Sequence, residues 1–143
     1  MASWDKAISA KHLQCSRKLI LANHQSPGDI VMLTAAVRDL HAAYPGEFAT
    51  DVRTPFPQLW QHNPNVTPLD DADPDVERIE CHYPSIHQSN QLAHHFVEGF
   101  TAFLADHLKL PIASTAFKGD IYLSDIEKGW MSQVHEIIGS SVP

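Results

Sequence analysis

The sequence predicts an α/β fold: a Rossmann-like, mostly parallel sheet with flanking helices. Three observations carry that expectation. Residues 17–23, RKLILAN, form a short apolar run ending in polar turn residues, the mark of a buried strand. Ile30, Leu33, Val37, Leu40 and Tyr44 then recur at three- and four-residue spacings, one face of a helix that stops before Pro45-Gly46. In EFATDV, Phe48, Thr50 and Val52 alternate, a second strand. Strand, helix and strand in this order imply a parallel pair joined by a crossover. The ligand crevice of such a sheet lies at the carboxyl ends of its strands.

The remaining elements follow in chain order. The Pro-rich stretch after residue 53 is expected to hold one helical turn around 58–62 and a strand at 66–69. VERIECHY, 76–83, reads as a fourth strand. From 90 to 110, Leu92, Phe96, Phe100, Phe103, Leu104 and Leu108 make a wide apolar helical stripe. DIYLS, 120–124, reads as a short strand. Ser124 and Glu127 have the capping-box spacing, opening a last helix to about Ile138 with Gly139 as its stop. Residues 1–16 are read as an N-terminal extension and 17–143 as one domain.

Composition narrows the class of function. The chain has 143 residues, 43% of them hydrophobic and 19% charged, an ordinary globular balance that can bury a core. A formal net charge of −7 argues against nucleic acid, whose phosphates need a basic face. The acidic run at 70–80 reads as a solvated loop, with a weak cation site the alternative. Two cysteines, Cys15 and Cys81, form no C-x-x-C pair and fit unpaired thiols in a reducing compartment. No stretch of about 18 apolar residues exists to span a membrane, and no signal-peptide pattern opens the chain. A cytoplasmic location is therefore expected.

The stretch NHQSPGD, 23–29, falls on the carboxyl edge of the first strand. Ser26-Pro27-Gly28-Asp29 has the form of a capping box with Pro at the first helical position. A carboxylate there can tie down the helix start, or it can act as a general base on the cleft edge. The turn lacks G-x-G-x-x-G and G-x-x-x-x-G-K-[ST], so it is not a phosphate cradle of either kind. No G-x-S-x-G elbow accompanies Ser26 and His24. The loop CHYPSIHQSNQLAHHF, 81–96, carries Cys81, His82, His87, His94 and His95. None of its His pairs has the H-x-x-x-H spacing, and adjacent His94 and His95 point about 100° apart on a helix, so no metal site is expected. Polar lining of a cleft, with His87 and Gln88 contributing, is the better use of that loop. Trp4, Trp60 and Trp130 read as packing residues, with stacking on a sugar the alternative for Trp60.

Taken together, SPGD (26–29), YPG (44–46), Asp51-Val52, NPNV (63–66) and GDIYLSDIEKGW (119–130) resemble the N-terminal half of the family 9 glycosyltransferases, the heptosyltransferases of lipopolysaccharide core synthesis. The resemblance spans about residues 17–139. It implies the acceptor-side domain of a GT-B enzyme, with Asp29 as the catalytic base of an inverting transfer and neither metal nor cofactor. Acceptor contacts would come from Asn23, His24, Ser26, Gly28, His87 and Gln88. The family carries a basic residue where Asn23 stands and commonly a proline where Ala35 stands. The donor, a nucleotide-sugar and by analogy ADP-linked, would bind a C-terminal domain that this chain does not contain. That half is expected beyond Pro143 or on a second chain, which leaves room for a second copy of this one. The partner would be a glycan or other hydroxyl acceptor, and the alternative is a non-catalytic α/β module that binds a ligand or partner in the same cleft.

Overall fold

The structure is a computed structural model and describes residues 16–82 and 97–130. Its centre is β1, Arg17–Ala22, followed by α1, Pro27–Ala43, and β2, Phe48–Arg53. A single 3-10 turn at Pro57–Trp60 leads to β3, Val76–Glu80. The helix α2, Glu98–Leu108, and a one-turn helix α3, Asp125–Lys128, complete the described elements. The three strands are parallel in the order β2-β1-β3, so the expected Rossmann-like α/β layer is present.

Why the sheet folds this way is visible in its two faces. Register sets Leu19 beside Thr50, and Leu21 beside Val52 and Ile79, on one face. Those apolar side chains meet Ile30, Leu33, Val37 and Leu40 of α1 and Phe100, Leu104 and Leu108 of α2 in one core. Both helices therefore cover the same face and pack on each other. A fully buried leucine or isoleucine contributes about 1.5–3 kcal/mol, so this face outweighs every polar contact described below.

The other face is charged. Lys18, Ile20 and Ala22 align with Ala49, Asp51 and Arg53 on one side and with Val76, Arg78 and Glu80 on the other. The β2–β3 connection crosses this face instead of a helix. Asp51 Oδ2 accepts the Leu69 N–H at 2.8 Å, Arg53 Nη2 donates to the Leu69 carbonyl at 2.9 Å, and Lys18 pairs with Asp73 at 2.9 Å. Ile20 and Ala22 end fully buried beneath that charged layer.

Four expectations need correction. Only Val66 of the strand predicted at 66–69 pairs, through one parallel bridge to Thr50. The ladder stops because the next donor, Leu69 N–H, goes to Asp51, whose other oxygen caps the Val52 N–H at 2.8 Å. Arg53 Nη1 takes the Val52 carbonyl at 2.9 Å, so the open edge of β2 is blunted by its own neighbours. Residues 120–124 are not a strand: Asp120 N–H donates to Thr34 Oγ1 at 2.8 Å, which carries the segment over α1 rather than to a sheet edge. The last helix ends at Lys128 with Gly129 as its cap, and the rest of its predicted span lies outside the described residues, as do 90–96 of the long apolar stripe. The helical turn sits at Pro57–Trp60, because His62 takes a left-handed backbone with φ 60°.

The tryptophans divide: Trp60 is core as expected, but Trp130, expected to pack, is exposed because it follows a one-turn helix with no buried residue, and Trp4 lies outside the described residues. The Ser124–Glu127 capping box forms, with Ser124 N–H donating to Glu127 at 2.7 Å and Glu127 N–H to Ser124 Oγ at 3.2 Å. Among the described residues no helix is long and apolar enough to cross a membrane.

The outer face of α1 carries a strap, residues 111–124. Asp39 is fully buried and accepts both the Thr115 N–H, at 3.1 Å, and the Thr115 hydroxyl, at 2.7 Å. Arg38 donates to the carbonyls of Ala116 and Lys118, each at 2.8 Å. Gly119 lies so close to α1 that a Cβ there would stand 2.3 Å from Val31 Cγ1.

Candidate functional site at the carboxyl edge of the sheet

Strand order reverses at β1: the chain leaves it for β2 on one side and returns to β3 on the other. In open parallel sheets the crevice at such a reversal, beyond the carboxyl ends of the strands, is where ligands bind. Residues 23–29 and Cys81-His82 occupy that edge here.

Asn23 closes the base of the crevice. It is buried, and its Nδ2 donates to the Cys81 carbonyl at 3.0 Å and to Gln25 Oε1 at 2.9 Å. Its Oδ1 accepts the Gln25 N–H at 2.9 Å, an Asx turn that redirects the chain out of β1. Both amide hydrogens of Asn23 are thus spent holding β1's exit turn to β3. Gln25, not singled out by the sequence reading, is drawn in by this turn. The only signal for it was its position two residues after an asparagine.

Asp29 stands at the third position of the 17-residue α1, behind Pro27, which suits a helix start because it lacks the N–H that would go unpaired there. Its Oδ2 accepts the Ser26 N–H at 3.2 Å and also the Ser26 hydroxyl. No described residue bonds to Oδ1. Among the described residues, one carboxylate oxygen thus holds the turn while the other has no partner. His24, Ser26 and Gly28 are exposed around it, and a Cβ built on Gly28 would meet nothing within 4 Å. Among the described residues, open space therefore lies over the helix start.

Cys81 ends β3 as a buried free thiol. Burial, reinforced by the neighbouring Glu80 carboxylate, pushes its pKa up to about 12, which makes it a poor nucleophile near neutral pH. His82 follows it and meets the edge of the Phe103 ring, with centroids 5.7 Å apart, while His107 stacks on the same ring at 5.9 Å. His87 and Gln88 lie outside the described residues. Among the described residues no three His, Cys, Asp or Glu side chains converge as a metal site.

The described edge gathers four of the expected site residues, Asn23, His24, Ser26 and Gly28, on one turn with Asp29. No protein-family model, no curated protein and no solved structure matches this chain.

Proposed function

We propose that the chain forms the acceptor-binding half of an inverting glycosyltransferase resembling family 9. In that role Asp29 takes the proton of an acceptor hydroxyl. The hydroxyl oxygen bonds to the anomeric carbon of a nucleotide-linked sugar, the bond to the nucleotide diphosphate breaks, and the diphosphate departs with that electron pair. The donor would sit on a C-terminal half.

The observation that supports this most is the division of labour in the Asp29 carboxylate at the strand-order reversal. Oδ2 is tied to Ser26 and sets the orientation of the group, and Oδ1 faces no described partner. An oriented carboxylate with one oxygen unbonded by any described residue, on a ligand-binding edge, suits a general base, which must come within about 2.6–3.2 Å of the oxygen whose proton it removes. Asn23 acts by holding the turn; His24, Ser26 and Gly28, with His87 and Gln88, would contact the acceptor.

The test joins the chain to a nucleotide-sugar-binding half of a family 9 enzyme and measures transfer from an ADP-linked sugar to a glycan acceptor. Asp29→Asn keeps the shape of the side chain, and loss of the base is expected to lower kcat by about 10²–10⁴-fold. An unchanged kcat in that variant would remove Asp29 from the reaction.

The capping contacts favour one competing reading, a non-catalytic binding module in which Asp29 only starts the helix. That module would bind a glycan saturably with no turnover in the joined protein, and Asp29→Asn would cost about 1 kcal/mol of stability and leave binding unchanged.

A further inference from the structure

A second concavity lies at the carboxyl end of β2, beside the Pro57–Trp60 turn. It has a volume of about 410 Å³ and is lined by Asp51, Val52, Arg53, Thr54, Pro57, Trp60, Gln61 and Val66. It exists because the pairing of β2 with Val66 stops after one bridge, which leaves the last residues of the strand facing the Pro57–Trp60 turn across a gap.

The chemistry of the walls selects the occupant. Val52, Pro57, Trp60 and Val66 supply apolar surface. The two charged residues at the rim are satisfied internally: Arg53 gives its five N–H bonds to Asp51, Asp71, Val52 and Leu69. Asp51 accepts from Val52 N–H through one oxygen and from Arg53 and Leu69 N–H through the other. A charged ligand would find no unpaired counter-charge. The remaining polar capacity is small. Thr54 Oγ1 accepts the Trp60 indole N–H at 3.2 Å and keeps its own hydroxyl proton to donate, and no described residue bonds the Gln61 amide. Small-molecule sites span about 300–1,000 Å³, with mostly apolar walls and a few polar groups, which matches this concavity.

We propose that this pocket binds a neutral, ring-sized and largely apolar molecule carrying one or two hydrogen-bonding atoms, a phenol or comparable ring alcohol. A sugar, with hydroxyls around its whole rim, would leave most of them facing Val52, Pro57 and Val66 unpaired, and each buried unpaired group costs about 1–3 kcal/mol. Its lining shares no residue with the turn at Asn23–Asp29, and its test does not depend on glycosyl transfer.

The experiment follows the Trp60 indole N–H resonance of the whole chain by ¹H–¹⁵N NMR, assigned by its disappearance in Trp60→Phe. Phenol is expected to shift it saturably with half-saturation at about 1 mM, on the scale of a seven-heavy-atom ligand. Gln61→Ala, an exposed change with no burden on the fold, is expected to weaken binding about 2–10-fold. Val66→Phe, which fills the space, is expected to weaken it more than about 10-fold. No saturable shift with phenol, no effect of Gln61→Ala, or tighter binding of methyl α-D-glucopyranoside than of phenol would each overturn the proposal.

Discussion

The Asn23 side chain donates to the Cys81 carbonyl at 3.0 Å, joining the ends of two neighbouring parallel strands at the point where strand order reverses. Any ligand crevice at this edge takes its shape from that bond. Asn23→Leu keeps the bulk and removes every hydrogen bond, leaving the Cys81 carbonyl and the Gln25 N–H without their partner. A loss of about 1–3 kcal/mol in denaturant unfolding is expected, with faster hydrogen exchange at Gln25.

Asp39 ties the strap to α1 from a fully buried position. Its charge is balanced by Arg38 at 3.1 Å and by the Thr115 N–H and hydroxyl. Asp39→Ala leaves the Thr115 N–H and the Thr101 hydroxyl without their acceptor, while Arg38 keeps the Ala116 and Lys118 carbonyls, and is expected to cost about 1–3 kcal/mol. Native hydrogen exchange should show the amides of Thr115 and Asp120 losing protection ahead of β1. Equal loss across the sheet would place Asp39 in the core rather than in the strap anchor.

Gly119 is required by close approach. Its substitution by alanine brings a Cβ against Val31 Cγ1, at 2.3 Å, and is expected to destabilise by about 1–3 kcal/mol. Val31→Ala removes the opposing methyl. A double-mutant cycle should therefore return a favourable coupling above about 0.5 kcal/mol, and additivity would contradict the packing.

His41 supplies a pH dependence. Burial lowers its pKa from 6.5, so the folded state favours the neutral ring. Thr50 donates its proton to the Asn65 carbonyl at 2.7 Å, so its oxygen accepts from His41 Nε2–H at 2.8 Å. The unfolded chain takes up a proton near pH 6.5 and the folded chain only below that. The His41 contribution is therefore complete above pH 6.5 and is lost as pH falls through the window beneath it. Unfolding free energy measured from pH 7 down to pH 5 should fall, and His41→Gln should flatten that slope.

Sequence periodicity located the elements whose pattern is set by one buried face. Ile30, Leu33, Val37 and Leu40 all reach the core, and the alternating Phe48 and Thr50 are buried on the helix side of β2. Where side chains compete with the backbone the pattern misled. Val66 has strand character, but Asp51 and Arg53 take the ladder's next hydrogen bonds, and those residues are distant in sequence from it. DIYLS alternates like a strand, yet its partner is the Thr34 hydroxyl on a helix. Asp39 gave no signal at all, because an aspartate on a helix reads as solvated until Thr115 is brought to it by the fold. At the candidate site the capping box was legible from S-x-x-D and the Asx turn from an asparagine two residues before Gln25, whereas the Asn23 bond to the Cys81 carbonyl depends on a contact between strands.

The central claim is that the crevice at the exit of β1 holds a glycan acceptor. Titration of the ¹⁵N-labelled chain with soluble oligosaccharide acceptors tests it most directly. Saturable shifts are predicted at the amides of His24 to Asp29 and at Cys81 and His82, and they should persist in Asp29→Asn. Absence of saturable shifts there, or shifts confined to residues 51–66, would contradict it.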